Sequence, residues 1–476
     1  MSVTHVCHSW RTLALSIPSV WSRVEFFSDV HASYCTCDAC EARDDESYYR
    51  TASRTTRPAP TNLRAIPDVL SRGLQTPITL DVTSLDSQAD GEMIMITFGK
   101  LLVTHKSRLT TIRISLAQEL GLCDFFETFD SLPALRSLKL TYTGDEDEVS
   151  GPVSVLNEHI SMPCLSRLEL GPFIKFPRRD HLHLPALTHL TASFSSAPEL
   201  REILDACPTL QHLEVIPFAN ATNLDVSTEA LQEVAPLVKR LREIRLLNIR
   251  RDTLAPSLDI FAHPVVADLQ INCAEMDADL LSRALEILAH VSAPVQFGFS
   301  TSGNLLVLTT ANDAGHRRVL GMTIGSVDKI LQRIWAVVPP PSLWFFCTTW
   351  TLWLRVCGDI GRATQLQHIV IVLPHGNAQP LPAPDVPGAH FPKLMTLALH
   401  SAPHPTDKAR VPLSWIRGVV RSLALGKPLE RLYLVNVQFT LDKDDALSDD
   451  ERFDLSFAQS IKDMTGMPGF GGFLGP

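Results

Sequence analysis

The chain has 476 residues, 45% of them hydrophobic and 20% charged, with a formal net charge of -10. That length accommodates two or three domains or one elongated repeat array, and the apolar content is enough for a sizeable core. The acidic balance and the lack of a basic block argue against nucleic acid as the main partner. No basic-then-apolar leader opens the chain and its cysteines are scattered, so the expected setting is reducing, cytoplasmic or nuclear.

Residues 6 to 26 read VCHSWRTLALSIPSVWSRVEF. Val3, Val6, Cys7, Trp10, Leu13, Ala14 and Ile17 recur at three- and four-residue spacing, which predicts an amphipathic helix. Pro18 disfavours helical geometry in the residue before it and lacks an amide donor, so the helix should end near Ser16 or Ile17. With only a few residues upstream, part of the packing partner for this stripe is expected to be missing. Next, HASYCTCDAC gathers His31, Cys35, Cys37 and Cys40. Thiolates with an imidazole are good zinc ligands, but C-x-C crowds two of them and no second C-x-x-C follows. Residues 28–64, rich in charge, Ser, Thr and Pro, are therefore read as a polar loop or disordered insertion without metal.

From residue 65 to 440 one pattern recurs: apolar at i, i+3 and i+5, often with proline at i-2. It reads LTTIRI from Leu109, LRSLKL from Leu135, LSRLEL from Leu165, LTHLTA from Leu187, LQHLEV from Leu210 and LREIRL from Leu241. Looser copies start at Val266, Leu366, Leu394 and Leu429, and intervals from Leu109 to Val266 run between 22 and 31 residues. The last two apolar positions of each copy are two apart, so in a strand they share one face. Stacked copies give a parallel sheet over a continuous leucine core, an α/β leucine-rich-repeat-like solenoid. Leu200, Ile203 and Leu204 within APELREILDAC predict a helical return. About 290 to 360 the pattern is irregular.

The alternate strand positions should face outward and line the concave surface for a protein partner: Ser137, Lys139, Arg167, Glu169, His189, Thr191, His212, Glu214, Glu243, Arg245, Asp268 and Gln270. Ile334 to Leu354 carries no charge, but Pro339, Pro340 and Pro341 interrupt it, so a buried strand or helix is expected and not a membrane span. Residues 441–476, acidic and then Gly-rich, read as a flexible tail. No G-x-S-x-G elbow, P-loop or H-E-x-x-H helix occurs, so no catalytic residue and no cofactor are assigned.

Val6, Cys7, Trp10 with Arg11, Leu13 to Leu15 including Ala14, Pro18 and Trp21 resemble the C-terminal part of an F-box domain. The stretch AIPDVLSRGLQTPITLDV, residues 65–82, resembles the link from F-box to leucine-rich repeats in the large F-box families of mushroom-forming fungi. The resemblance implies a partial F-box over residues 1–27 that ties the chain to the adaptor of an SCF-type ubiquitin ligase, with the repeats selecting an unknown protein substrate. Such modules usually open with an LP-x-E segment and two further apolar helices, which are not in this sequence; adaptor binding is accordingly expected to be weak. The alternative is a non-catalytic leucine-rich-repeat scaffold that has lost adaptor binding.

Overall fold

A computed structural model of the chain describes residues 12–13, 15–27, 62–84, 90–116, 123, 125–142, 155–156, 160–177, 184–216, 228–273, 276, 278–302, 305–323, 327–374, 390–401, 409–423 and 429–440. It divides into two compact units, Met1–Arg245 and Leu246–Pro476. The protein is α/β, and its strands pair mostly in parallel.

In the first unit the strands are β1 (Arg23–Phe27), β2 (Ile78–Ser84), β3 (Leu109–Leu116), β4 (Ser137–Tyr142), β5 (Arg167–Leu170), β6 (His189–Ala192), β7 (His212–Val215) and the start of β8 (Glu243–Ile249). From β1 to β7 each pairs in parallel with the next in sequence. Helices α1 (Ile66–Arg72), α2 (Asp90–Val103), α3 (Ala197–Ala206) and α4 (Thr228–Val238) accompany them. Helix α3 shows how the return path is written locally. The Ser196 side chain accepts from the Glu199 amide, Glu199 Oε2 accepts from the Ser195 amide, and Pro198 stands in the first turn. This reciprocal cap starts a helix that buries Leu200, Ile203 and Leu204.

The sequence repeat corresponds to a repeated turn. The amides of Leu135, Leu165, Leu187, Leu210 and Leu241 each bond the carbonyl three residues back, on Leu132, Met162, Leu184, Cys207 and Val238. Pro133, Pro163, Pro185 and Pro208 occupy the second position of four of these turns, where the fixed proline φ is already correct. The next residue in each copy then bonds backward to its counterpart: Arg136 to Thr110, Ser166 to Arg136, Thr188 to Ser166, Gln211 to Thr188 and Arg242 to Gln211. Each copy thus sets the height of the following one. On the inward side Leu138, Leu140, Leu168, Leu170, Leu190 and Leu213 are buried, and so are the leading leucines Leu135, Leu165, Leu187, Leu210 and Leu241. A row of apolar side chains closed to water on one face is the dominant stabilising feature of such a sheet, at ~1.5–3 kcal/mol for each fully buried leucine.

The second unit departs from a uniform parallel array. Its strands are β9 (Asp268–Cys273), β10 (Val295–Ser302), β11 (Leu305–Ala311), β12 (Arg317–Thr323), β13 (Leu343–Thr349), β14 (His368–Leu373), β15 (Thr396–Ser401), β16 (Ala409–Pro412), β17 (Arg431–Val435) and β18 (Val437–Thr440). Helices α5 (Arg251–Phe261), α6 (Ala278–Glu286), α7 (Val327–Val337), α8 (Trp350–Ile360) and α9 (Leu413–Ser422) lie between them. The sheet order is β9-β12-β11-β10-β13-β14-β15-β17, while β16 and β18 pair separately. Strands β10, β11 and β12 form an antiparallel meander whose outer members run parallel to β13 and β9. The meander lies within the stretch of about 290 to 360 where the sequence pattern is irregular. A three-strand insertion reverses direction twice and so restores it, which lets the parallel order resume at β13. The β11–β12 turn closes through Gly315, at φ +82°, and through the Asn312 side chain, which accepts from the His316 amide and donates to Ser292.

The uncharged stretch from Ile334 to Leu354 ends α7, forms β13 and starts α8. Phe345 and Phe346 point to opposite faces of β13 and are both buried, as are Trp350 and Trp353 on α8. A strand covered on both sides has no place for a charge. No described helix is long and apolar enough to cross a membrane.

Candidate functional site

Strand register arranges the outward side chains of the first unit in two rows. One runs through Thr111, Ser137, Arg167, His189 and His212. The other runs through Glu25, Asp81, Arg113, Lys139, Glu169, Thr191 and Glu214. Beside β7 the Gln211 carbonyl accepts from both Arg242 and Glu243, as the Thr188 carbonyl does from Gln211 and His212, so Glu243 continues the first row and Arg245 the second.

Neighbouring strands lie about 4.8 Å apart, so charges in one row reach each other directly. Asp81 accepts from Arg23 at 2.8 Å and from Arg113 at 3.3 Å. Glu169 meets Lys139 at 3.0 Å and Arg167 at 2.6 Å. Partial burial of Glu169 opposes its ionisation, but the hydrogen bonds from Lys139 and Arg167 outweigh it and hold the carboxyl below its usual range. Glu243 is in the same position: burial opposes its charge, while His212 at 2.8 Å and Arg245 at 2.6 Å win and keep it ionised. Arg245 also stands 4.0 Å from Glu214.

Between β5 and β8 these side chains border a groove of about 260 Å³, lined by Arg167, His189, Thr191, His212, Glu214 and Glu243 among others. Its lining includes a pair of imidazoles. His189 and His212 stack with ring centroids 4.1 Å apart and planes 6° from parallel. His189 is held below the usual histidine range, first by burial and then by the charges of His212 and Arg167, against a smaller opposing pull from Glu243. No group of three or more potential metal ligands occurs among the described residues.

The structure thus brings Lys139, Arg167, Glu169, His189, His212, Glu214, Glu243 and Arg245 onto one face. Asp268, assigned to the same set by sequence, belongs to the second unit, where it faces Arg317 at 3.6 Å. Sequence reasoning passed over Glu25, Asp81 and Arg113. The signal was present as a polar residue at every second position in RVEF, TLDV and TIRI.

At the other candidate surface, Val6, Cys7, Trp10, Arg11 and Ala14 lie outside the described residues, as do His31, Cys35, Cys37 and Cys40. Leu13 and Leu15, expected to face an adaptor or to pack within the F-box segment, are helical and 48% and 41% exposed among the described residues. Pro18 opens a 3-10 turn, Pro18–Trp21, in which Val20 is also exposed. Trp21 is half-buried, with the Arg72 guanidinium 4.9 Å from its ring centroid.

No protein-family model matches the chain, and no curated protein matches it. Fold and face together define a class: an α/β protein whose mostly parallel strands present rows of paired opposite charges above a leucine core.

Proposed function

We propose that this chain is the substrate-recognition subunit of an SCF-type ubiquitin ligase, a fungal-type F-box and leucine-rich-repeat protein whose outward face in the first unit binds a target protein. The carrying observation is the pair of aligned charged rows with the groove between β5 and β8. Such a face recognises a partner by charge complementarity, with opposite signs set at fixed spacing. Leu13, Leu15, Ile17 and Val20, exposed just ahead of β1, support a second contact surface of the kind an adaptor would cover. Ubiquitin transfer would be done by other subunits, and this chain would contribute proximity.

The test is co-purification of the chain with a purified SCF adaptor. Binding, even weak, that is lost in a Leu13→Ser/Leu15→Ser variant supports the ligase reading. No binding by the full chain removes it and leaves the non-catalytic scaffold, whose outward face would still bind a target protein.

A further inference from the structure

The hydrogen bonds around the imidazole pair decide which atoms the groove offers. The Thr188 hydroxyl has a single proton and donates it to the Ser166 carbonyl at 3.1 Å. Its oxygen therefore accepts, at 2.9 Å, from Nδ1–H of His189. An ionised carboxylate only accepts, so Nδ1–H of His212 donates to Glu243 at 2.8 Å. Each neutral ring then keeps its lone pair on Nε2. Because the rings are stacked 6° from parallel, these lone pairs run side by side and form two separate acceptors.

Two residues farther along the same strands, Thr191 and Glu214 are register partners on the outward face. Among the described residues Glu214 accepts no hydrogen bond, and Arg245 stands 4.0 Å away. The other charges at the groove are already matched: Arg167 lies 2.6 Å from Glu169, and Arg245 lies 2.6 Å from Glu243. The lining thus combines one carboxylate without a hydrogen-bonded counterion among the described residues with uncharged acceptors on Thr191 and the imidazoles. The Glu214 side chain is only 29% exposed, so a cation that reaches it is screened less than at open surface. A group that satisfies this set must be cationic and carry donors pointing in several directions. A guanidinium has five N–H donors spread over a plane, whereas an ammonium is a single point of charge. At about 260 Å³ the groove is smaller than the roughly 300–1,000 Å³ of small-molecule pockets, which suits one side chain presented by a partner.

We infer that this groove is the recognition pocket for an arginine side chain of a protein partner, its guanidinium pairing with the Glu214 carboxylate and donating to Thr191 Oγ1 and to an imidazole Nε2. The inference deepens the reading of the outward face as a protein-binding surface and rests on that part of it alone; adaptor binding does not enter.

The experiment uses the full chain with its histidine rings labelled with carbon-13, titrated at pH 7.5 with the peptide acetyl-Gly-Arg-Gly-amide and followed by NMR. The signals missing from His189→Gln and from His212→Gln identify the two rings. Saturable shifts of both signals are expected. Citrulline in place of the peptide's arginine keeps the shape and removes the charge, and should weaken binding at least about tenfold, as should Glu214→Gln. Thr191→Val should weaken it about fivefold, the worth of one neutral hydrogen bond. Asp81→Asn, in the same row but on β2, should leave the affinity unchanged. Thermal melts of each variant confirm folding. Absence of a saturable shift, a citrulline peptide that binds as well as the arginine peptide, an affinity unaltered in folded Glu214→Gln, or an equal loss in Asp81→Asn would overturn the assignment. Should Glu214→Gln melt at lower temperature, the citrulline comparison on the unaltered chain decides. Adaptor co-purification reads a different surface, so this inference and the ligase reading fail separately.

Discussion

His189 on β6 and His212 on β7 stack face to face, 4.1 Å between centroids and 6° from parallel, with their second nitrogens committed to Thr188 and Glu243. The arrangement suits neutral rings, because two imidazoliums at that separation would repel each other.

Acid should therefore loosen the fold in a defined window. His105, His189, His290 and His368 are all held below the usual 6.5, with burial the largest cause in each. A histidine whose folded pKa is depressed contributes stability that is present above its unfolded value and is lost as pH falls through its folded value. Melting temperature is expected to drop as the pH is lowered from about 7 towards 5, and His189→Gln should make the decline shallower. Glu169 and Glu243 act in a separate window, because their depressed carboxyls lose their contribution only below the ordinary 4.5. Thermal melts across pH 3 to 8 check both; a flat profile between pH 7 and 5 would contradict the first.

Leu168 and Arg167 are adjacent in sequence and opposite in consequence. Leu168 is fully buried and Arg167 is exposed. Leu168→Asp places an unpartnered carboxylate in the leucine layer and should cost several kcal/mol, roughly 4 or more, whereas Arg167→Ala should change stability by less than about 1 kcal/mol. Chemical denaturation of the two variants measures the contrast, and equal effects would reverse the inside and outside faces of β5.

Arg318, on β12, is buried, and its guanidinium donates to the carbonyls of Pro264, Val266, Ala267 and Arg317. It holds the turn ahead of β9 against the strand that the meander places beside it. Arg318→Leu removes donors from buried carbonyls at about 1–3 kcal/mol each, so destabilisation of at least about 3 kcal/mol is expected. Arg318→Lys should recover little of it, because one ammonium cannot reproduce the planar fork. Urea midpoints of the three proteins decide.

At the start of the first unit, Phe26 is buried and stacks on Phe98 with centroids 4.6 Å apart, whereas Leu13 is 48% exposed. Phe26→Ala should cost roughly 3–5 kcal/mol. Leu13→Ser should stay within about 0.5 kcal/mol. Differential scanning calorimetry separates them, and a large loss from Leu13→Ser would mean that this side chain is packed in solution.

The copies from Leu109 to Leu241 were legible because their information is local. The proline that opens a turn, the leucine whose amide closes it and the alternation inside the strand all lie within about eight residues. Inward Leu138 and outward Lys139 follow from that alternation alone, as does the helix whose cap begins at Ser196. The meander of β10 to β12 carries no such leading turn, and nothing local tells whether Val295 to Thr323 joins the sheet in sequence order or in reverse. That choice is made by pairing partners distant in the chain, Arg317 beside Asp268 and Val295 beside Leu343. The site divides in the same way. Sequence alone places His189, His212 and Glu243 on the outward side of their strands. Only the backbone bonds that fix the height of each copy against the last bring the two rings into a stack, because a shift of one residue in register would turn one of them into the core.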